Sequence, residues 1–357
     1  MNTRFFPSYT IGPDAYKEIV KICTPHGTKA AVIGGEKAIK AAGKKIGEAI
    51  KGSSLEITGF FSFGGEASVE NIERLKAMPE VQKADIIFAV GGGKAIDTGK
   101  VLAQTTNRMF FTFPTIASTC ASCTSLGILY HPDGSLREYS ISDVPPVHIF
   151  IDSEIIANAP DKYFWAGIGD SMAKYFETSV SSRKDELTHP QAMGVCIGNM
   201  CIVPFLKYGE KALGDCRNNI VSAELEEIIL GIIVSTGFVS NLVNIDITSG
   251  LAHAVYNGFT VIPKIEEFGH LHGEIVSYGI LILLIADKQK EEFERIYKFN
   301  KNLGFPTKLS DLHCSLKDVD KVIEKGLKGI DVKHYPYEVT PSMIKGAIEF
   351  LESYNMN

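Results

Sequence analysis

Asp85-Ile86-Ile87-Phe88-Ala89-Val90-Gly91-Gly92-Gly93-Lys94-Ala95-Ile96-Asp97 is the stretch on which the fold class turns. Asp85 to Val90 is a short apolar run, the pattern of a parallel strand buried on both faces. It stops at three glycines, and a helical pattern from about Ala95 to Thr105 follows. Gly91, Gly92 and Gly93 let backbone N–H groups approach a pyrophosphate closely, and the start of the helix adds partial positive charge. Two familiar phosphate loops do not match. A Rossmann fingerprint needs Gly or Ala at the sixth position, where Ile96 stands. A P-loop needs four residues between its glycines and Ser or Thr after the lysine, tests that Gly93, Gly99, Lys100 and Val101 fail. A tight glycine turn without a ligand also fits the triplet.

The neighbouring text repeats the pattern. Lys29–Gly34, Leu55–Phe61, Met109–Phe113 and His148–Ile151 read as strands, and Glu36–Lys51 and Ser68–Met78 as helices. Leu126–Tyr130 and Leu136–Ser140 flank a turn at His131-Pro132-Asp133-Gly134 and predict a hairpin. Such alternation predicts a mostly parallel sheet covered by helices. After Pro160 strand-like runs become rare and helical patterns dominate. The last helix is the clearest, with Thr340 as cap, Pro341 in the first turn and an apolar stripe of Met343, Ile344, Ala347, Ile348 and Leu351. We therefore expect an α/β domain over residues 1–158 and an all-helical domain over residues 159–357.

A chain of 357 residues, 45% hydrophobic and 22% charged, has ordinary globular composition, and its length suggests two domains sharing a cleft. The net charge of -6 argues against nucleic acid or an anionic membrane as partner. Ile228–Val243 carries Gly231, Ser235, Thr236, Gly237, Ser240 and Asn241, and Ile275–Ala286 is too short to span ~30 Å of hydrocarbon, so both read as buried helices. The N-terminal text lacks a signal-peptide pattern, and seven scattered cysteines suit reduced thiols, so a cytoplasmic location is expected.

Pro114-Thr115-Ile116-Ala117-Ser118-Thr119 places small hydroxyl residues after a strand, at the carboxyl edge where open α/β sheets bind ligands. In the helical half stand Asp170 (Gly167-Ile168-Gly169-Asp170), His253 (His253-Ala254-Val255-Tyr256-Asn257-Gly258-Phe259) and His272 (His270-Leu271-His272-Gly273-Glu274). One carboxylate and two imidazoles satisfy a divalent ion and leave a coordination position open for substrate. Spacing alone does not single these out: Asp170 also reads as a helix N-cap, and the histidines as hydrogen-bonded core or surface residues.

Together with Phe63-Gly64-Gly65-Glu66 and Gly91–Thr98, these stretches resemble the glycerol dehydrogenases of the iron-type alcohol dehydrogenase superfamily. The resemblance implies a dehydroquinate-synthase-like fold, with a nucleotide-binding α/β domain, a helical domain and a metal in the cleft. It carries the metal ligands to Asp170, His253 and His272, with His270 as rival for the third. Nucleotide contacts carry over to Gly93, Lys94, Asp97, Thr115, Ser118, Leu126 and Tyr130. Iron-type members place a fourth ligand, a histidine, one turn after the aspartate; Lys174 stands there, as in the three-ligand zinc branch. Zinc is thus the first expectation, with iron as an alternative.

Two departures shape the expected chemistry. Cys120 replaces an aspartate that contacts the polyol in typical glycerol dehydrogenases, which makes a carboxylate-bearing substrate easier to accept. Lys174 would meet that carboxylate, or else pair with Asp170 at i, i+4. The segments around Cys120–Cys123 and Val339-Thr340-Pro341 are similar to 2-hydroxycarboxylate dehydrogenases of the superfamily. Gly35 occupies the position of the acidic residue that binds the ribose 2′-hydroxyl in NAD-preferring relatives, and Lys37 is nearby, so NADP is expected ahead of NAD unless Glu36 takes that role. Cys120 and Cys123 form a lone C-x-x-C pair that reads as pocket lining rather than a redox motif. The expected activity is metal-dependent hydride transfer between nicotinamide and a small hydroxy compound, by a homo-oligomer. A dehydroquinate-synthase-like lyase and a non-catalytic nucleotide- or metal-binding protein are the rival readings at this point.

Overall fold

The computed structural model describes residues 4–142 and 144–355. Eight strands lie in the first 151 residues: β1 (Ser8–Ile11), β2 (Lys29–Gly34), β3 (Glu56–Ser62), β4 (Ile86–Gly91), β5 (Met109–Pro114), β6 (Gly127–Tyr130), β7 (Leu136–Ser140) and β8 (His148–Ile151). Six form one parallel sheet in the order β1-β8-β5-β4-β2-β3, while β6 and β7 make the expected antiparallel hairpin. Every residue of β4 is buried, as are five of the six in β2 and in β5, which is why these strands read as unbroken apolar runs. Phe88, Phe111, Phe113 and Phe150 pack against one another on one face, with Ile46 and Ile50 of the helix Glu36–Ile50.

Sheet order positions the ligand edge. The chain runs from β2 outward to β3, then returns to the other side of β2 to lay down β4 and β5. Ligands bind beyond the carboxyl ends of strands at such a reversal. Here Gly34 aligns with Val90 and Gly91 with Pro114, so the turns after β2, β4 and β5 lie side by side.

From Ser153 onward the described elements are helices, as expected. By contact density, however, the chain divides into one unit of residues 1–164 and 212–241 and a second of residues 165–211 and 242–357. The expected single boundary at residue 158 therefore does not describe this division. Residues 212–241 carry an apolar face, including Leu225, Ile228, Ile232, Ile233 and Val239, that is buried, and Ser153 donates to Glu226 at 2.7 Å. Two helical runs, His189–Arg217 and Ala223–Leu242, are long and apolar enough to cross a membrane by length and composition, but most of the latter is buried in the protein. Ile275 to Leu284 are buried throughout. Thr340 caps the last helix, Pro341–Ser353, accepting from the Met343 N–H, and Ile344, Ala347, Ile348 and Leu351 face inward.

Sequence periodicity missed β1, a four-residue edge strand of exposed and half-buried residues. Its partner explains it. His148 on β8 is buried and joins Ser8 Oγ through Nδ1 at 2.7 Å and Thr10 Oγ1 through Nε2 at 2.9 Å. Burial lowers the His148 imidazole to about 4, with Glu18 opposing. The unfolded chain, with its ordinary histidine value, takes up the proton first, so this contribution is complete above pH ~6.5 and is lost as pH falls toward ~4. We predict that His148→Gln flattens the pH dependence of denaturant unfolding across that window, by up to about 3 kcal/mol relative to the parent.

Candidate metal centre

Three helices of the second unit deliver the three candidate ligands. Asp170 lies in the interior of the helix Asp161–Ser181, not at its start, so it is not an N-cap. His253 lies in the first turn of Leu251–Phe259, and His272 is the first residue of His272–Ala286. The helices meet because glycine removes the side chains between them. A Cβ on Gly273 would lie 1.8 Å from the Ala166 carbonyl oxygen, and one on Gly169 would lie 2.3 Å from the Gly273 carbonyl oxygen. Gly279 similarly allows Ala252 to approach, since a Cβ there would lie 2.5 Å from the Ala252 oxygen.

This packing brings a carboxylate and two imidazoles together. One ligand atom from each of Asp170, His253 and His272 falls within 4.8 Å of the others. His272 Nε2 is 3.1 Å and His253 Nε2 is 3.5 Å from the same oxygen, Asp170 Oδ1. The side chain of His272 is 36% exposed against 15% for His253 and 8% for Asp170, so access to the cluster is from the His272 side. Burial opposes ionisation of Asp170, yet His272 and His253 hold its carboxyl far below the usual carboxylate range. Burial likewise opposes a charge on His253, but Glu177 and Asp170 push its imidazole up to about 10. The donor set thus favours a cation between its members, and a divalent ion would release the proton carried there.

His270 takes no part in the cluster. Its Nδ1 meets Glu274 Oε1 at 2.9 Å and its Nε2 meets His313 Nδ1 at 2.9 Å. Glu274 also accepts from the Leu271 N–H, fixing the start of the helix that bears His272. Lys174 is one turn beyond Asp170 and donates to the Thr248 carbonyl at 3.2 Å. Among the described residues it makes no ion pair with Asp170, contrary to the i, i+4 alternative.

Several supporting residues escaped sequence reading. Glu177, two turns after Asp170 on the same helix, is fully buried and accepts from His253 twice, from its backbone N–H at 2.9 Å and from Nδ1 at 2.6 Å. The only sequence signal was its seven-residue offset from Asp170, which places both on one helix face. Asp331 bridges Ser249 and Asn257, at opposite ends of the His253 segment, accepting from Asn257 at 2.9 Å. Tyr335 accepts the Leu251 N–H at 3.1 Å.

In the first unit, the expected nucleotide-contacting residues border the sheet's carboxyl edge. Gly91 has φ +143, and a Cβ on Gly92 would lie 2.6 Å from Ile116. The helix Gly93–Thr105 has no side-chain cap, so its first N–H groups remain for an anion. Thr115 N–H is taken by the Gly91 carbonyl at 3.1 Å, and Ser118 is half-buried. Lys94 pairs with Glu66 at 2.6 Å and lies 5.1 Å from the Tyr130 ring centroid. Asp97 faces inward: its carboxylate accepts from the fully buried Lys100 at 2.8 Å and from the Ile128 N–H at 3.3 Å. Lys100 also donates to the Leu126 carbonyl at 2.6 Å, so this pair holds the start of β6, which Leu126 precedes and Tyr130 ends. Lys37 is exposed in the first turn after Gly35. Cys120 Sγ lies 3.9 Å from Ser240 Oγ, and burial pushes the Cys123 thiol well up; neither forms a disulfide.

Comparison with known proteins agrees with this architecture. Residues 7–153 match the family model described as iron-containing alcohol dehydrogenase. The chain is 32% identical to hydroxycarboxylate dehydrogenase A of Escherichia coli (strain K12), over 97% of this chain and 96% of that one. It is also 32% identical to a glycerol dehydrogenase of Thermotoga maritima, over 82% and 81%. The solved glycerol dehydrogenase of Schizosaccharomyces pombe aligns with a TM-score of 0.86 at 26% identity, covering 99% of this chain and 91% of that one. The chain belongs to the iron-containing alcohol dehydrogenase family. It is an oxidoreductase of the glycerol-dehydrogenase-like kind, and the family implies a nicotinamide nucleotide and a divalent metal as cofactors.

The glycine contact sets a direct test. Gly273→Ala drives a methyl into the Ala166 carbonyl, which should cost about 1–3 kcal/mol of apparent stability. Because the contact also aligns Asp170 with His272, affinity for a divalent metal, measured by competing chelator, should fall as well.

Proposed function

We propose that this protein is a zinc-dependent, NADP-preferring dehydrogenase that interconverts small 2-hydroxycarboxylates and 2-oxo acids. The reading rests on one observation above the others: Asp170, His253 and His272 bring one carboxylate oxygen and two imidazole nitrogens within 4.8 Å. Zinc accepts that donor set with a position left for substrate, and Lys174 stands where iron-type members add a fourth histidine. Iron is the alternative ion.

Asp170, His253 and His272 would hold a divalent cation, which would supply Lewis acidity toward a substrate oxygen, and the nicotinamide would supply the hydride chemistry. Asp170 contributes the neutralising charge, and His253 and His272 contribute Nε2 lone pairs. With that charge stabilised no side-chain base would be required. The uncapped turn Gly91–Gly93 would seat the pyrophosphate, with Lys94, Thr115 and Ser118 beside it. Asp97 and Lys100 would act on the nucleotide through the strand they brace, at Leu126 and Tyr130. Gly35 leaves no carboxylate against a 2′-phosphate, and Lys37 is exposed to meet one.

Substrate class follows from charge. Cys120 removes an anion from the expected polyol position, and Lys174 offers a cation one turn from Asp170. The similarity to hydroxycarboxylate dehydrogenase A supports the same choice. Exposed Met193, Met200 and Val203 on one helical stretch of the second unit support a homo-oligomer. Seven unbridged cysteines support a reducing, cytoplasmic setting.

Initial rates with 2-oxo acids, glycerol and vicinal diols, each with NADPH and NADH or their oxidised forms, test the proposal. We expect 2-oxo acids with NADPH to be fastest; turnover of glycerol with NAD alone would overturn the substrate and cofactor assignments. His253→Ala should abolish metal-dependent turnover while leaving nucleotide binding, followed by fluorescence, unchanged. Lys174→Met should raise KM for 2-oxo acids about 10- to 100-fold and leave that for uncharged aldehydes alone.

A further inference from the structure

We propose that Glu177 is the positioning residue of the metal centre: it fixes the proton of His253 on Nδ1, turns the Nε2 lone pair toward the cation, and completes the charge balance of a divalent ion. This rests on the reading of Asp170, His253 and His272 as ligands. Glu177 has no exposure, and among the described residues no lysine or arginine pairs with it. A carboxylate so placed is costly unless its environment compensates. What the structure places against it is His253, through two hydrogen bonds of 2.9 and 2.6 Å.

Hydrogen-bond chemistry decides the proton's place. Carboxylate oxygens only accept, so both contacts need hydrogen on nitrogen, the backbone N–H for Oε1 and Nδ1–H for Oε2. Neutral imidazole carries a single ring hydrogen, so Nε2, the nitrogen facing Asp170, is left as an acceptor. The backbone bond matters as much as the ring bond, because together they hold the ring plane against the same carboxylate that anchors its own main chain. Outer carboxylates of this type orient ligating histidines and raise their basicity. Gly250 clears the space: a Cβ there would lie 2.9 Å from Glu177 Cγ and 3.2 Å from the Tyr335 ring.

Charge points the same way. Asp170 and Glu177 are two negative groups on one helix face, and a divalent cation brings their sum to zero. Lys174, between them on the helix, then leaves the centre with one net positive charge, suited to a carboxylate substrate or an oxyanion.

Glu177→Gln is isosteric and separates this role from packing. Its amide oxygen can still accept the His253 N–H, but its NH2 then faces Nδ1 and drives the ring proton to Nε2. We expect zinc affinity, measured by competing chelator on the full-length protein, to fall about 10- to 100-fold, with nucleotide affinity near that of the parent. In the zinc-loaded parent, 15N spectra of labelled histidine should show His253 protonated at Nδ1. Affinity within twofold of the parent in a folded Glu177→Gln protein would overturn the proposal. So would ligation through Nδ1 in the parent, a readout that needs no variant. If instead the parent binds no stoichiometric zinc, or His253→Ala binds it equally well, the ligand assignment itself fails, a distinct outcome.

Discussion

Backbone contact between two helices at Gly169 and Gly273 is the constraint on which the candidate metal cluster of the second unit depends. Asp170 follows one of these glycines and His272 precedes the other, so the residues that let the helices touch are neighbours of those that meet across them. Any side chain at either position would meet a carbonyl oxygen rather than a flexible group, and the neighbour cannot yield cheaply. The third helix obeys the same rule through Gly279 against Ala252, one residue before His253. The polar cluster is therefore a product of apolar close packing.

Around that cluster the protein invests in satisfied polar groups. Glu177, Asp331 and Tyr335 are buried or half-buried and each holds a part of the segment from Ser249 to Asn257. A buried polar network of this kind is favourable only when every member finds its partner. The first unit uses the same device at Asp97 and Lys100, a buried ion pair whose lysine also reaches Thr124 and the Leu126 carbonyl. In both places the charge is spent on holding a loop or helix start, not on the surface.

The parallel sheet was legible because strands buried on both faces have to be written as continuous apolar runs, and β2, β4 and β5 are. β1 was not, since a short edge strand held by His148 against Ser8 and Thr10 carries no period. Residues 212–241 could not be assigned from sequence because helical text does not say which unit its apolar face will join. Local pattern put Asp170 at a helix start, where the Gly-Ile-Gly before it mimics a boundary; Gly169 serves a crossing helix instead. Spacing could not separate His270 from His272, whose surroundings differ: Glu274 and His313 engage the former, and Asp170 lies against the latter. Glu177 was invisible because a carboxylate in a helix is ordinarily a solvated one.

The supports of the His253 segment come late in the chain. Its three candidate ligands have all emerged by residue 272, but Asp331 and Tyr335, which brace the helix start, follow some sixty residues later. During synthesis from the N-terminus, the first unit's sheet is complete while this brace is still unmade. A nascent chain that has reached residue 272 would thus carry both imidazoles before the groups that brace the His253 helix.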